Sequence, residues 1–335
     1  MLELNYKKIS ENAKDAMANA VGVDHDYYND ATEVIGKYYP GDIHILNSAN
    51  SCIITTVEAV EDPILTVDMG GWNGLERSAK VLNKKVEKIT TTNGIINIKD
   101  LEDYFKENTI NTLYITALAA YMKAQPIKEI KHLCDVYDVL LIVDISGVVG
   151  DIELCSCNDA DILISSTGKP KIVNIENGGF IVNMKPDTIK LNNHMLKTLK
   201  ADNITCAGIN AEFSKAGAIL EETRKYNNYL KEQLNEKLEC SGEFSIIEPD
   251  AVYGINTIIS MPSKSIAKKV AYNIRQQITV DRNKGIITPG PNYNRLKKPC
   301  VCIEIKNLDV DSITNKKLDQ LVDIIIDSIK KEKEN

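Results

Sequence analysis

Histidine is scarce in this sequence: there are four, at positions 25, 44, 132 and 194, too scattered to form a ligand cluster. The eight cysteines include no Cys-x-x-Cys spacing. Cys155/Cys157 and Cys300/Cys302 are Cys-x-Cys pairs, and Cys52, Cys134, Cys206 and Cys240 stand alone. On a strand, residues i and i+2 share a face, so each pair could in principle chelate a soft metal. Reduced structural thiols are the plainer reading, and no metal site is assigned. No stretch approaches ~18 consecutive apolar residues, so no membrane span is expected. The N-terminus MLELNYKKIS lacks the apolar core of a signal peptide, and a soluble cytoplasmic protein is expected. Basic charge is not in excess. The net charge of −7 argues against a broad phosphate-binding surface, though not against a local basic patch. The turn after the first strand carries no G-x-G-x-x-G, which argues against a nucleotide-binding Rossmann enzyme. No internal repeat or low-complexity tract is present.

What is present is enough apolar residue, 43% of 335, for one large domain and a smaller one. Short apolar runs bounded by turn residues fall at 43–46, 64–68, 85–89, 112–118, 139–143 and 161–164, with another starting at Gly178-Gly179. Helical periodicity separates them, for example Ile53, Ile54, Val57 and Val60, or Ile127, Ile130, Cys134 and Tyr137. Alternation of this kind predicts an α/β fold with a doubly wound or related parallel sheet. Residues 1–40 read as a polar, tyrosine-bearing arm. After Met184 the pattern predicts a helix over 186–200, a loop over 202–208 and a long charged helix over 210–238. A smaller α+β lobe follows, with a Pro/Gly-rich loop over 286–293 and a strand over 299–305. The expected boundaries are therefore 1–40, 41–209 and 210–335.

The stretch 140–179 organises the functional reading. One apolar run ends on Asp144 and another on Ser165-Ser166-Thr167-Gly168-Lys169, placing an acid and a lysine 25 residues apart, each just past a buried strand. Ligands of open α/β sheets collect beyond the carboxyl ends of strands. Upstream, Ser48-Ala49-Asn50-Ser51 opens a helix after the first strand, which is either an anion cradle or an ordinary helix cap. Gly70, Gly71 and Gly74 surround the only tryptophan, Trp72, which either stacks on a planar ligand or pins its loop to the core. Together these parts match the needs of pyridoxal 5'-phosphate: a lysine amine for a Schiff base, a carboxylate for the ring nitrogen, a helix start for the phosphate and a flat side chain for the ring.

The order of parts resembles the aspartate-aminotransferase fold (fold type I) of pyridoxal-phosphate enzymes, and within it the branch of cysteine desulfurases and bacterial selenocysteine synthase. The chain looks most similar to archaeal selenocysteine-synthase-like proteins. Ala160–Lys169 resembles the family's segment ending in the Schiff-base lysine, Val143-Asp144 its pyridinium-binding pair, Leu46–Ser51 its phosphate loop and Gly71–Ser78 the segment with the ring-stacking residue, here Trp72. The resemblance implies a mainly parallel, seven-stranded sheet flanked by helices. It implies Lys169 and Asp144 as catalytic residues. Ser48, Ala49, Asn50, Ser51, Trp72 and Ser166 join those two in holding the cofactor. It also implies an amino-acid-like substrate, lyase or transferase chemistry and a homodimer. Departures are visible as well. Gly168 stands where desulfurases carry histidine, Pro170–Asn177 replaces a glycine-rich stretch, and Lys171 competes with Lys169 for the Schiff base. Cysteines 300 and 302 occupy a strand where an arginine would grip the substrate carboxylate, leaving Arg275, Arg282 or Arg295 as substitutes. Cys206, in the expected 202–208 loop, is a candidate persulfide carrier or a buried thiol. The N-terminal region is short and the charge wrong for a tRNA-handling relative. A relative without catalysis, acting as a binding or scaffold subunit, is the alternative.

Overall fold

The computed structural model describes residues 1–238, 243–281, 285–292 and 296–333. Seven strands pair into one sheet: β1 (Asp42–Leu46), β2 (Ile64–Val67), β3 (Val86–Ile89), β4 (Thr112–Thr116), β5 (Leu140–Asp144), β6 (Ile162–Ser166) and β7 (Gly179–Asn183). Their order is β1-β7-β6-β5-β4-β2-β3. All neighbouring pairs are parallel except those of β7, which runs antiparallel to both β1 and β6. Every residue of β2, β6 and β7 is buried, as the unbroken apolar runs of a two-side-covered sheet require.

The helices on this sheet are α1 (Glu11–Asn19), α2 (Tyr27–Gly36), α3 (Ala49–Ala59), α4 (Gly74–Val81), α5 (Ile98–Glu107), α6 (Ile127–Val136), α7 (Asn193–Thr198) and α8 (Asn203–Phe213). One face of the sheet presents Tyr114, Ile142, Ile162, Ile164 and Ile181 to Cys52, Ile53 and Val57 of α3 and to Leu75 and Ala79 of α4. At the sheet's β7 side, Phe213 of α8 meets the Phe180 ring edge-on at 5.7 Å.

The chain divides into two compact units: Ile9–Ala117 with Gln125–Leu220, and Met1–Lys8 with Leu118–Ala124 and Glu221–Asn335. This differs from the expected boundaries. The first 40 residues are no separate arm. Leu2–Leu4 is a strand paired with Ile278–Val280 in the smaller unit. Helices α1 and α2 instead pack on α8 in the larger one, burying Ala13, Ala31, Ile35 and Tyr39. Small side chains let the helices approach closely, and the Tyr39 hydroxyl accepts a hydrogen bond from Gly150 N at 3.0 Å.

Three local expectations are also corrected. The 202–208 stretch is the start of α8, which Asp202 caps by accepting from Thr205 N at 2.7 Å. The 186–200 stretch is helical only over Asn193–Thr198. The long helix α9 begins at Ala216, not at 210.

The smaller unit holds an antiparallel sheet of β8 (Ser245–Ile246), β9 (Thr257–Ser260), β10 (Ile287–Gly290) and β11 (Cys300–Ile303), in the order β8-β9-β11-β10. The expected 286–293 loop thus contains an edge strand; Pro289 is tolerated there because an edge needs no donor on its outer side. Helices α10 (Lys264–Arg275) and α11 (Asn315–Lys333) contribute Ala267, Val270, Ile274, Leu318, Leu321 and Ile325 to its core.

Candidate active site

The sheet topology gathers the expected residues at one edge. The carboxyl ends of β1 and β6 and the amino end of β7 coincide there, with Gly179 paired to both Leu46 and Ser166. Asp144, the last residue of β5, is in register with Thr116 of β4 and Ile164 of β6.

Helix α3 starts immediately beyond β1. Ser48 is its N-cap and accepts from Ser51 N at 3.2 Å. The Ser51 hydroxyl donates to Asn47 Oδ1 at 2.5 Å, and the two serine hydroxyls lie 2.8 Å apart. The capping arrangement expected of this segment is therefore in place. Strand β7 begins close beside this helix start. A Cβ on Gly179 would lie 2.9 Å from Ala49 N and 2.7 Å from Ser165 O, so only glycine lets β7 pass beside the first turn. A helix start carrying two hydroxyls offers donors of the kind an anion needs, although Ser51 N is already engaged by Ser48.

Asp144 is buried, and one carboxylate oxygen accepts from Ser146 N at 2.9 Å. Among the described residues it has no ion pair. Ser146 Oγ in turn accepts from Ser166 N at 2.9 Å, and Ser166 Oγ accepts from Gly168 N at 3.2 Å. This serine relay ties the acid to the loop that carries the lysine. Asp144 also stands near α3: burial first, then the Asp144 charge, pushes the Cys52 thiol far up.

Lys169 follows β6 by three residues and is ion-paired with Glu176 at 2.8 Å, both side chains being partly buried. Thr167 closes the loop between them. Its N donates to Gly178 O at 3.2 Å, its hydroxyl donates to Asn177 O at 2.6 Å, and its carbonyl accepts from Ile175 N at 2.9 Å. Glu176 has a φ of +60°, the left-handed region that glutamate seldom adopts. Within the loop, Asn174 is buried with neither amide atom hydrogen-bonded to any described residue.

Trp72 reaches the same edge through its Nε1, which donates to Asn50 Oδ1 at 3.2 Å. Its ring packs against the α3–α4 side of the core, folded over Gly74, whose Cβ would lie 2.5 Å from Trp72 Nε1. The loop is pinned in this way.

Other candidates fare differently. Cys206 lies inside α8 and fully buried, and burial followed by the Asp202 charge pushes its thiol up to about 12. It is thus no mobile carrier. Arg275 donates from Nε to Ile287 O at 3.2 Å, using its guanidinium to hold the edge strand β10. Arg282, Arg295 and Cys240 lie outside the described residues. No three His, Cys, Asp or Glu side chains converge as a metal site among the described residues. No described helix is long and apolar enough to cross a membrane.

Sequence reasoning missed Ser146, Thr167, Glu176 and Gly179. Only Ser146 left a signal, a hydroxyl two residues beyond the acid at a strand end.

Comparison with known proteins adds two kinds of likeness. By sequence, residues 217–326 match the model of the MJ1341 family C-terminal domain, and no curated protein matches the chain. By structure, the chain is similar to a NifS-like protein from Rickettsia africae ESF-5, with TM-score 0.72 and 14% identity over 98% of this chain and 99% of that one. A complex of SepCysS with the SepCysE N-terminal domain gives 0.73 and 14% over 98% and 95%. Serine palmitoyltransferase, in a structure with its PLP internal aldimine, gives 0.73 and 11% over 98% and 87%. The chain has their fold. The seven-stranded, mainly parallel sheet expected from the resemblance is thereby found, with its one antiparallel strand supplying Gly179.

Proposed function

We propose that this protein is a pyridoxal-phosphate-dependent enzyme acting on an amino acid or amino-acid-like substrate, by lyase or transferase chemistry of the desulfurase or selenocysteine-synthase kind. The observation that carries the reading is the convergence, at one sheet edge, of a buried acid without a cationic partner among the described residues, a lysine on a closed loop and a hydroxyl-bearing helix start. That donor set fits the cofactor's ring nitrogen, aldehyde and phosphate.

Lys169 holds the cofactor covalently through its amine. Asp144 keeps the ring nitrogen protonated by facing it with a carboxylate whose orientation Ser146 fixes. The first turn of α3, with Ser48, Ala49, Asn50 and Ser51, binds the phosphate, assisted by the Ser166 hydroxyl. Trp72, pinned to Asn50 and the core, would border the ring from the loop it holds. When bound, pyridoxal phosphate acts as an electron sink for a carbanion at the substrate carbon bearing the amine. Lys169, once its amine is free, takes a proton from that carbon or returns it. A homodimer is part of this reading, as the resemblance implies.

A second reading, a cofactor-binding subunit without catalysis, draws support from Arg275, which serves a backbone carbonyl, and from Cys300 and Cys302 on the strand expected to carry an arginine. One experiment addresses both. Purified protein with added pyridoxal phosphate is expected to show a visible absorbance band that borohydride removes. Amino acids are then screened for a change in that band. A protein that ignores the cofactor overturns the proposal, and a band that no amino acid or analogue alters favours the binding subunit.

A further inference from the structure

We infer that Glu176 is the positioning residue and proton partner of Lys169; the inference rests on the cofactor reading above. Glu176 is not at its place by accident of a long side chain. Residues 168–174 leave and re-enter the fold at Thr167, whose three hydrogen bonds, with Ile175 N, Asn177 O and Gly178 O, fix the backbone on both sides of Glu176. The chain there takes a left-handed φ of +60°, a conformation unfavourable for a non-glycine residue. In that conformation the carboxylate meets the Lys169 amine at 2.8 Å. Such strain persists only where the surroundings over-determine it, and here they aim an acid at the one amine the chemistry needs.

The role follows from proton balance. A lysine ammonium cannot attack a carbonyl. Glu176 accepts one proton from the ammonium. The neutral nitrogen would then be free to bond the aldehyde carbon of pyridoxal phosphate when that cofactor is supplied, the carbonyl oxygen departing as water with the nitrogen's two remaining protons. The proton returns from Glu176 to the lysine nitrogen, so the carboxylate is regenerated and nothing is oxidised or reduced.

The decisive variant is Glu176→Gly, because glycine accepts the left-handed backbone while removing the carboxylate. Its loading with pyridoxal phosphate, followed by the visible band and by the mass of the borohydride-trapped Lys169 peptide, is expected to slow by on the order of tenfold or more. Its Tm is expected to equal or exceed that of the unmodified chain, and added formate, a small carboxylate able to enter the vacated space, is expected to restore much of the rate. Loading at the unmodified rate overturns the inference. So does slow loading that accompanies a lowered Tm and ignores formate, since Glu176 is then only a structural tie. If the unmodified protein itself takes no pyridoxal phosphate, the cofactor reading has failed, which the parallel control reveals directly.

Discussion

The two edges of the large sheet carry the same kinds of side chain and use them in opposite ways. At the amino edge, Asp161 is almost fully buried and saturated. It pairs with Lys185 at 2.8 Å and Lys131 at 3.3 Å, and its other oxygen accepts from Leu141 N at 2.8 Å. At the carboxyl edge, Asp144 is also buried but has a single hydrogen bond, from Ser146 N, and no ion pair among the described residues. In sequence the two are alike, an acid beside an apolar run. The difference teaches that burial alone does not define an acid's part: Asp161 is surrounded by its partners, whereas Asp144 keeps acceptor capacity in reserve, as its proposed role requires. A cleft of about 560 Å³ opens beside Asp161, lined by Glu61, Asn111, Asp135, Asp138 and Lys185 among others. A cleft of that size could hold a small molecule, but the satisfied partners around it argue against a site there.

The contrast can be broken most sharply with lysines. Lys169→Ala is expected to abolish the borohydride-sensitive band completely, while Lys185→Ala at the opposite edge leaves it intact. Loss of the band in Lys185→Ala, or its survival in Lys169→Ala with loss in Lys171→Ala, would reverse the assignment of the edges.

The acids give the next effect. Asp161→Asn removes the charge partner of Lys185 and leaves Lys131 with Asp135 alone, and is expected to cost about 1–3 kcal/mol in urea denaturation. Asp144→Asn is expected to change stability by less than about 1 kcal/mol while weakening cofactor binding. Equal destabilisation by the two would erase the distinction.

A buried cation in the smaller unit extends the comparison to a case of incomplete compensation. Burial lowers the Lys7 amine to about 8, with the Asp309 charge opposing that shift. Between that value and the ordinary lysine range near 10.5, the unfolded chain binds the proton that the folded chain has released, so stability should rise with pH across this window. Below the window the cost is fully present, and Lys7→Met should recover up to about 3 kcal/mol at neutral pH and flatten the alkaline rise. Denaturation at pH 7 and pH 10 would check the sign.

Much of this was legible in the residues because burial on both faces leaves unbroken apolar runs, and such runs end where the sheet ends. Asp144, Ser166 and Lys169 could therefore be placed at strand ends, and Ser48 at a helix start, from patterning alone. What stayed hidden depended on long-range fit. Helix α8 contains Gly208 and opens on Asp202, which read as a loop; in the structure Asp202 is a cap, and a Cβ on Gly208 would crowd Met17 and Ile175. The strand β10 was masked by Pro289 and Gly290, residues that an edge position accepts. Ala13 and Ala31 looked like ordinary helix formers, yet both are fully buried in helices that pack on α8. Glu176 gave no signal because its part is set by a positive φ and by hydrogen bonds to Thr167, neither of which a residue name encodes.

The closure at Thr167 also bears on how this protein could have diverged. Thr167 N bonds to Gly178 O, and Gly178 N bonds to Asn47 O beside the start of α3, so the segment hangs from two fixed points that belong to the sheet. Such a segment can be lengthened, shortened or rewritten without disturbing strand register, because closing a longer loop costs only about 0.6 kcal/mol per doubling of its length. It behaves as an exchangeable cassette: the frame that presents the lysine stays constant while the residues around its amine are free to be tried anew.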